Sequence, residues 1–168
     1  QATMYENIIP YYLSQTYFAQ KKYDALLAYA PVQLEKKSLL YKNELENLIG
    51  QAYFMKKNYA LALPYLEGNA KAQKKMYSKD FYQLAFAQYQ TKKYADAILN
   101  LKELATQDDS LGQYAMYLLG DCYLKTNQKA NARSAFQYCA YNNSNTTQQK
   151  VSRFIYAKLS YELGYQDV

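Results

Sequence analysis

Two cysteines, one pair of adjacent aspartates and several lysine pairs are the residues here whose types could do chemistry. Cys122 and Cys139 stand 17 residues apart, which is neither redox nor zinc spacing. They read as two small buried core residues, with a disulfide as the alternative. Asp108-Asp109 reads as a helix-start or loop pair. The chain has no His, which removes the commonest general base and metal ligand. Its acids show no metal-ligand spacing, and Gly50, Gly68, Gly112, Gly120 and Gly164 are scattered singly, so no phosphate-cradling loop is present. An enzyme is not expected, and no cofactor or metal is implied.

The elements that position these residues come from a repeat of about 35 residues. Leu13-Ser14-Gln15-Thr16-Tyr17-Phe18 aligns with Ile49-Gly50-Gln51-Ala52-Tyr53-Phe54 and with Leu119-Gly120-Asp121-Cys122-Tyr123-Leu124. The segments at Leu84 and Tyr156 fit more loosely. The small residues Ser14, Gly50, Ala85, Gly120 and Ala157 are separated by steps of 36, 35, 35 and 37. Nine residues after the first three come Tyr23, Tyr59 and Tyr94. Self-similarity at this period is the signature of stacked helical units. One helix pair cannot bury its apolar stripe alone, so stability must come from neighbouring units. Half the residues are hydrophobic and Gly and Pro are few, which suits long helices, and nothing reads as a strand. Ser78 and Ser110 are the expected N-caps. Pro10 is tolerated only near a helix start and otherwise kinks the helix. Asn127 and Gly164 are expected at turns that need a positive φ, and Asn142 to Thr147 is read as a polar loop.

Met116-x2-Leu119-Gly120-x2-Tyr123, followed by Ala132-x3-Phe136, resembles the tetratricopeptide repeat. That resemblance implies an all-α, right-handed superhelical solenoid of about four and a half repeats. The units are placed at 7–42, 43–77, 78–112 and 113–149, with the first helix of a fifth at 150–168. The chain departs from the family pattern in having no Trp, in Ala25 standing one place early, and in lacking most closing prolines. The Tyr-, Lys- and Asn-rich texture is also similar to large repeat proteins of the bacterial cell envelope, which implies periplasm or envelope. Gln1 is not an initiator Met, and Gln166-Asp167-Val168 stands where another helix should begin, so a fragment of a longer protein is expected. No signal peptide or membrane-spanning run is seen.

In the family, first helices line a concave groove. Carried onto this chain, the groove positions are Tyr11, Gln15 and Phe18; Asn47, Gln51 and Phe54; Tyr82, Phe86 and Tyr89; Tyr117, Asp121 and Leu124; and Phe154, Lys158 and Tyr161. The 4-then-3 spacing keeps each set on one helix face. This face is mostly aromatic, and such rings offer rigid contact area to a peptide. Tyr82, Phe86 and Tyr117 are expected to be exposed; Phe54, Tyr89 and Tyr161, near helix ends, either line the groove or pack on the next repeat. The basic set that clamps a C-terminal carboxylate in some relatives is missing.

The implied function is a protein-interaction scaffold for a peptide or partner domain. The alternative uses charge. Lys21-Lys22, Lys56-Lys57 and Lys92-Lys93 fall in turns, Lys125 and Lys129 flank a fourth, and Lys71, Lys74, Lys75 and Lys79 form a second cluster in a chain of net charge +6. Such an edge could attract an anionic polymer or membrane surface, although lysine near helix ends also complements the helix dipole and aids solubility. Nucleic acid is not expected, since Arg is the usual phosphate reader. Carbohydrate binding ranks below these, and self-association through the last helix is a further option.

Overall fold

A computed structural model describes residues 4–165. Gln1 and the segment Gln166-Asp167-Val168, on which the expectations about the chain ends rest, lie outside them. The described residues form nine α-helices and no strand: α1 (Met4–Ala19), α2 (Tyr23–Gln33), α3 (Lys42–Met55), α4 (Tyr59–Ala72), α5 (Ser78–Gln90), α6 (Tyr94–Ala105), α7 (Ser110–Lys125), α8 (Lys129–Asn142) and α9 (Thr146–Glu162). The chain divides into two compact units, one ending at Gln83 and one beginning at Leu84, so the division falls inside α5.

In the first unit α1 packs on α2 and α3, α2 on α3, and α3 on α4. Its centre is Leu26 and Ala30 of α2 with Leu45, Ile49 and Ala52 of α3, all fully buried. Tyr17, Tyr53 and Tyr65 pack against that cluster. In the second unit α6 packs on α7, α7 on α8, and α8 on α9. Leu101 and Leu104, Ala115 and Cys122, Phe136 and Cys139 build its core. Both cysteines are free and buried. Burial pushes the Cys122 thiol up to about 12 and the Cys139 thiol up to about 11.

The repeat is written into the backbone at the turns. Lys21, Lys57, Lys92, Asn127 and Gly164 all have positive φ, between 57° and 79°, and each lies seven residues after its small residue. At Lys57 the N–H donates to the Phe54 carbonyl at 2.9 Å, and the Asn58 N–H donates to the Tyr53 carbonyl at 2.9 Å. That pair of bonds is the Schellman arrangement, which satisfies carbonyls a helix end would otherwise leave unpaired. The same pair recurs at Lys21, Lys92, Asn127 and Gly164. Two residues after the first four of these, α2, α4, α6 and α8 open at Tyr23, Tyr59, Tyr94 and Lys129.

The small residues give close helix approach. A Cβ on Gly50 would lie 2.7 Å from Tyr65 Cβ of α4, and one on Gly120 would lie 2.9 Å from the Phe136 ring of α8. Ser14 and Ala85 are fully buried, and the Ser14 hydroxyl donates to the Pro10 carbonyl at 2.7 Å. Ala157, in the same register, is exposed; no helix follows α9 among the described residues.

Several local expectations are corrected. The N-cap of α7 is Asp109, whose carboxylate accepts from the Gly112 N–H at 2.8 Å; Ser110 is the first helical residue. At α5 the Asp80 carboxylate accepts from the Tyr77 N–H at 3.0 Å, one half of a capping box, and Ser78 is the first helical residue. Pro10 lies well inside α1, and Pro31 and Pro64 are likewise internal. The polar loop shrinks to residues 143–145: Asn145 caps α9 by accepting from the Gln148 N–H, and Thr146 and Thr147 are already helical. Thus α7 and α9 open at Ser110 and Thr146, ahead of the unit boundaries placed at 113 and 150.

Candidate functional site

The groove positions of the first two repeats meet around two clefts in the first unit. Tyr11 of α1, and Asn47 and Gln51 of α3, line a cleft of about 390 Å³. Gln15 and Phe18 line a second, of about 510 Å³, together with Tyr12, Thr16 and Ala19. Leu48 contributes to both.

The first cleft is built by helix periodicity. Asn43 and Glu44, Asn47 and Leu48, and Gln51 recur every third or fourth residue of α3, which holds them on one face. Asn69 and Ala72 do the same in the last turn of α4, and Gln73 follows as its extended C-cap. The Tyr11 hydroxyl accepts from Gln15 Nε2 at 2.7 Å, and its ring leans on those of Tyr12 and Tyr41, with centroids at 5.2 and 5.1 Å. Burial raises the Tyr11 pKa, and the nearby Glu44 carboxylate adds to it. Gln73 Nε2 donates to Asn69 Oδ1 at 3.0 Å, and the Lys79 ammonium donates to Gln51 Oε1 at 2.8 Å. Asn47 Oδ1 and Gln73 Oε1 are buried and have no hydrogen-bond partner among the described residues. The lining of this cleft is therefore rich in side-chain amides.

Three of the rings expected at a third groove position, Phe18, Phe54 and Tyr89, pack on the helix that follows. Phe18 meets Tyr23 edge-on, Phe54 meets Tyr59, and Tyr89 meets Tyr94, with centroids 5.4, 5.4 and 5.9 Å apart. Each ring at the end of a first helix thus clasps the ring that opens the second. Phe54 also meets Tyr82 edge-on at 6.2 Å. Burial raises the Tyr82 pKa.

Most of the remaining positions lie in the second unit. Phe86 lies near Tyr89 and Tyr114. The Tyr89 hydroxyl donates to the Asp121 carboxylate at 2.7 Å, and burial together with that acceptor raises its pKa strongly. Tyr117 is half-buried, packed edge-on against the core ring of Phe136 at 5.9 Å. Tyr82, Phe86 and Tyr117 are thus half-buried where exposure was expected, because neighbouring rings take up part of their area. Leu124 is half-buried. Phe154 and Tyr161 are 71% and 87% exposed, and Lys158 is exposed beside Glu162.

Of the turn lysines, Lys21, Lys22 and Lys57 are exposed, and Lys56 pairs with Asp24. Sequence reasoning missed Asn43, Glu44, Asn69 and Gln73. The spacing of Asn43 and Glu44 from Asn47 and Gln51 carried a signal for the first two; Asn69 and Gln73 join the site only through the packing of α4 on α3. Among the described residues, no helix is long and apolar enough to cross a membrane, and no cluster of His, Cys, Asp and Glu could hold a metal ion. No protein-family model matches the chain, and no curated protein matches it.

Proposed function

We propose that this chain is a protein-interaction scaffold of the tetratricopeptide-repeat kind, and that it takes a peptide segment on its first helices. The observation that carries the reading is the meeting of Tyr11, Asn47 and Gln51, from two successive first helices, on one cleft, with Gln15 and Phe18 on the next. These are the positions at which that repeat family holds ligands. The five Schellman turns at the repeat period support the family assignment independently. A cleft lined by side-chain amides suits a peptide, because each amide both donates and accepts as a peptide group does.

The test is peptide display against the whole chain, followed by binding assays on an Asn47→Leu, Gln51→Leu variant whose helicity is checked by circular dichroism. Selected peptides are expected to bind the native chain and to lose at least about tenfold on the variant, the cost of one or two lost hydrogen bonds. Enrichment of no peptide, or equal binding by the variant, would contradict the reading.

A further inference from the structure

We propose that the cleft between α1, α3 and α4 receives an arginine side chain of the bound peptide, an assignment that rests on the peptide-scaffold reading. The chain carries net charge +6; among the described residues that line this cleft Glu44 bears the formal charge, and the Lys79 ammonium is bonded to its neighbour Gln51. The Glu44 carboxylate favours a cationic group at this cleft.

The hydrogen-bonding wall asks for donors. Asn47 Oδ1 and Gln73 Oε1 are acceptors sealed from water without a partner among the described residues, and such groups in a folded protein call for an explanation. Terminal amide torsions are soft, so an arriving N–H can draw either oxygen toward the opening. A third amide oxygen of the same wall, Gln51 Oε1, already accepts from a cationic donor, the Lys79 ammonium. That bond shows that an amide oxygen of this wall takes a cationic N–H donor.

The geometry favours a guanidinium over an ammonium. Its planar fork presents five N–H donors and can serve several separate acceptors at once, whereas an ammonium is a compact point charge. It also stacks on aromatic faces, and Tyr11 lines this cleft. Tyr11 is held by Gln15 Nε2 and by the Tyr41 ring. Tyr41 itself adopts a left-handed backbone, φ 59°, a strained choice for a bulky residue of the kind that gathers at ligand sites.

The experiment titrates the intact chain with N-acetyl-arginine amide and follows the side-chain amide signals of Asn47 and Gln73 by NMR. N-acetyl-citrulline amide, which keeps the shape and loses the charge, and N-acetyl-lysine amide are the comparisons. The arginine probe is expected to move both signals saturably and the other two to move them weakly. Glu44→Gln should weaken arginine binding about tenfold, and Lys79→Met should strengthen it. No movement with arginine, equal movement with citrulline or lysine, or indifference to Glu44→Gln would overturn the assignment. If displayed peptides bind without regard to arginine or Glu44, this assignment falls and the scaffold reading stands. If display selects nothing while arginine still titrates, the site stands and the scaffold reading falls.

Discussion

Asn47 poses the sharpest question at the scale of single residues. A buried amide kept for the fold should cost stability when removed. One whose oxygen has no partner carries a desolvation penalty, and replacing it by an apolar group of similar shape relieves it. Asn47→Leu is therefore expected to raise unfolding free energy by about 1 kcal/mol in urea titrations while weakening ligand binding. A loss of stability would mark Asn47 as structural. Lys57 gives a second case. Its left-handed conformation strains any side chain, so Lys57→Gly should gain about 1 kcal/mol despite glycine's entropy cost, read as a higher urea midpoint. Gly50 gives the reverse sign: Gly50→Ala drives a Cβ against Tyr65 Cβ, which is tied to the α4 backbone and cannot swing away. A loss of about 1–3 kcal/mol is expected. Residue-level legibility was uneven for a physical reason. Tyr23, Tyr59 and Tyr94 could be placed from spacing alone, whereas the cap of α7 went to Ser110 because neighbouring Asp109 and Ser110 are both good caps and only geometry decides which oxygen reaches the Gly112 N–H.

The element that repeats is the turn: a left-handed residue and two carbonyl-satisfying bonds, joined at the first three turns by a pair of rings. Because Tyr59 meets Phe54 edge-on and opens α4, Tyr59→Leu keeps apolar volume but removes the ring contact. It should cost about 1 kcal/mol, with a similar loss at Tyr94→Leu, both read from thermal unfolding. No change in either would mean that the bonds to the Tyr53 and Gln88 carbonyls hold the turns unaided. The helix pairs were legible because small residues and aromatics recur at fixed offsets. The amide cleft was not, since Asn69 and Gln73 lie beyond the repeat motif and reach the site only through α4's packing on α3.

For the whole molecule, the chain's behaviour in alkali follows from its buried acids. Burial raises the Cys122 thiol from 9.0 to about 12 and the Cys139 thiol to about 11, and it also raises Tyr11, Tyr29, Tyr65, Tyr82, Tyr89 and Tyr117. Below the unfolded pKa values both states hold these protons and stability is full. Above about pH 9 the unfolded chain releases them first, so stability falls with rising pH until the folded groups titrate as well. The melting temperature should therefore drop steadily from about pH 9 upward, and both thiols should resist alkylation at pH 8 until the chain is unfolded. A flat melting temperature to about pH 11, or rapid labelling of the native chain, would contradict the burial described here.

The proposed peptide site is the amide-lined cleft on the first helices of the first unit. The most direct measurement is an NMR map of the native chain with the tightest displayed peptide. The largest shifts are expected on Tyr11, Asn43, Glu44, Asn47, Gln51 and Gln73. Shifts centred instead on Lys21, Lys22 and Lys57, and lost on adding salt, would contradict it and place binding on the lysine turns.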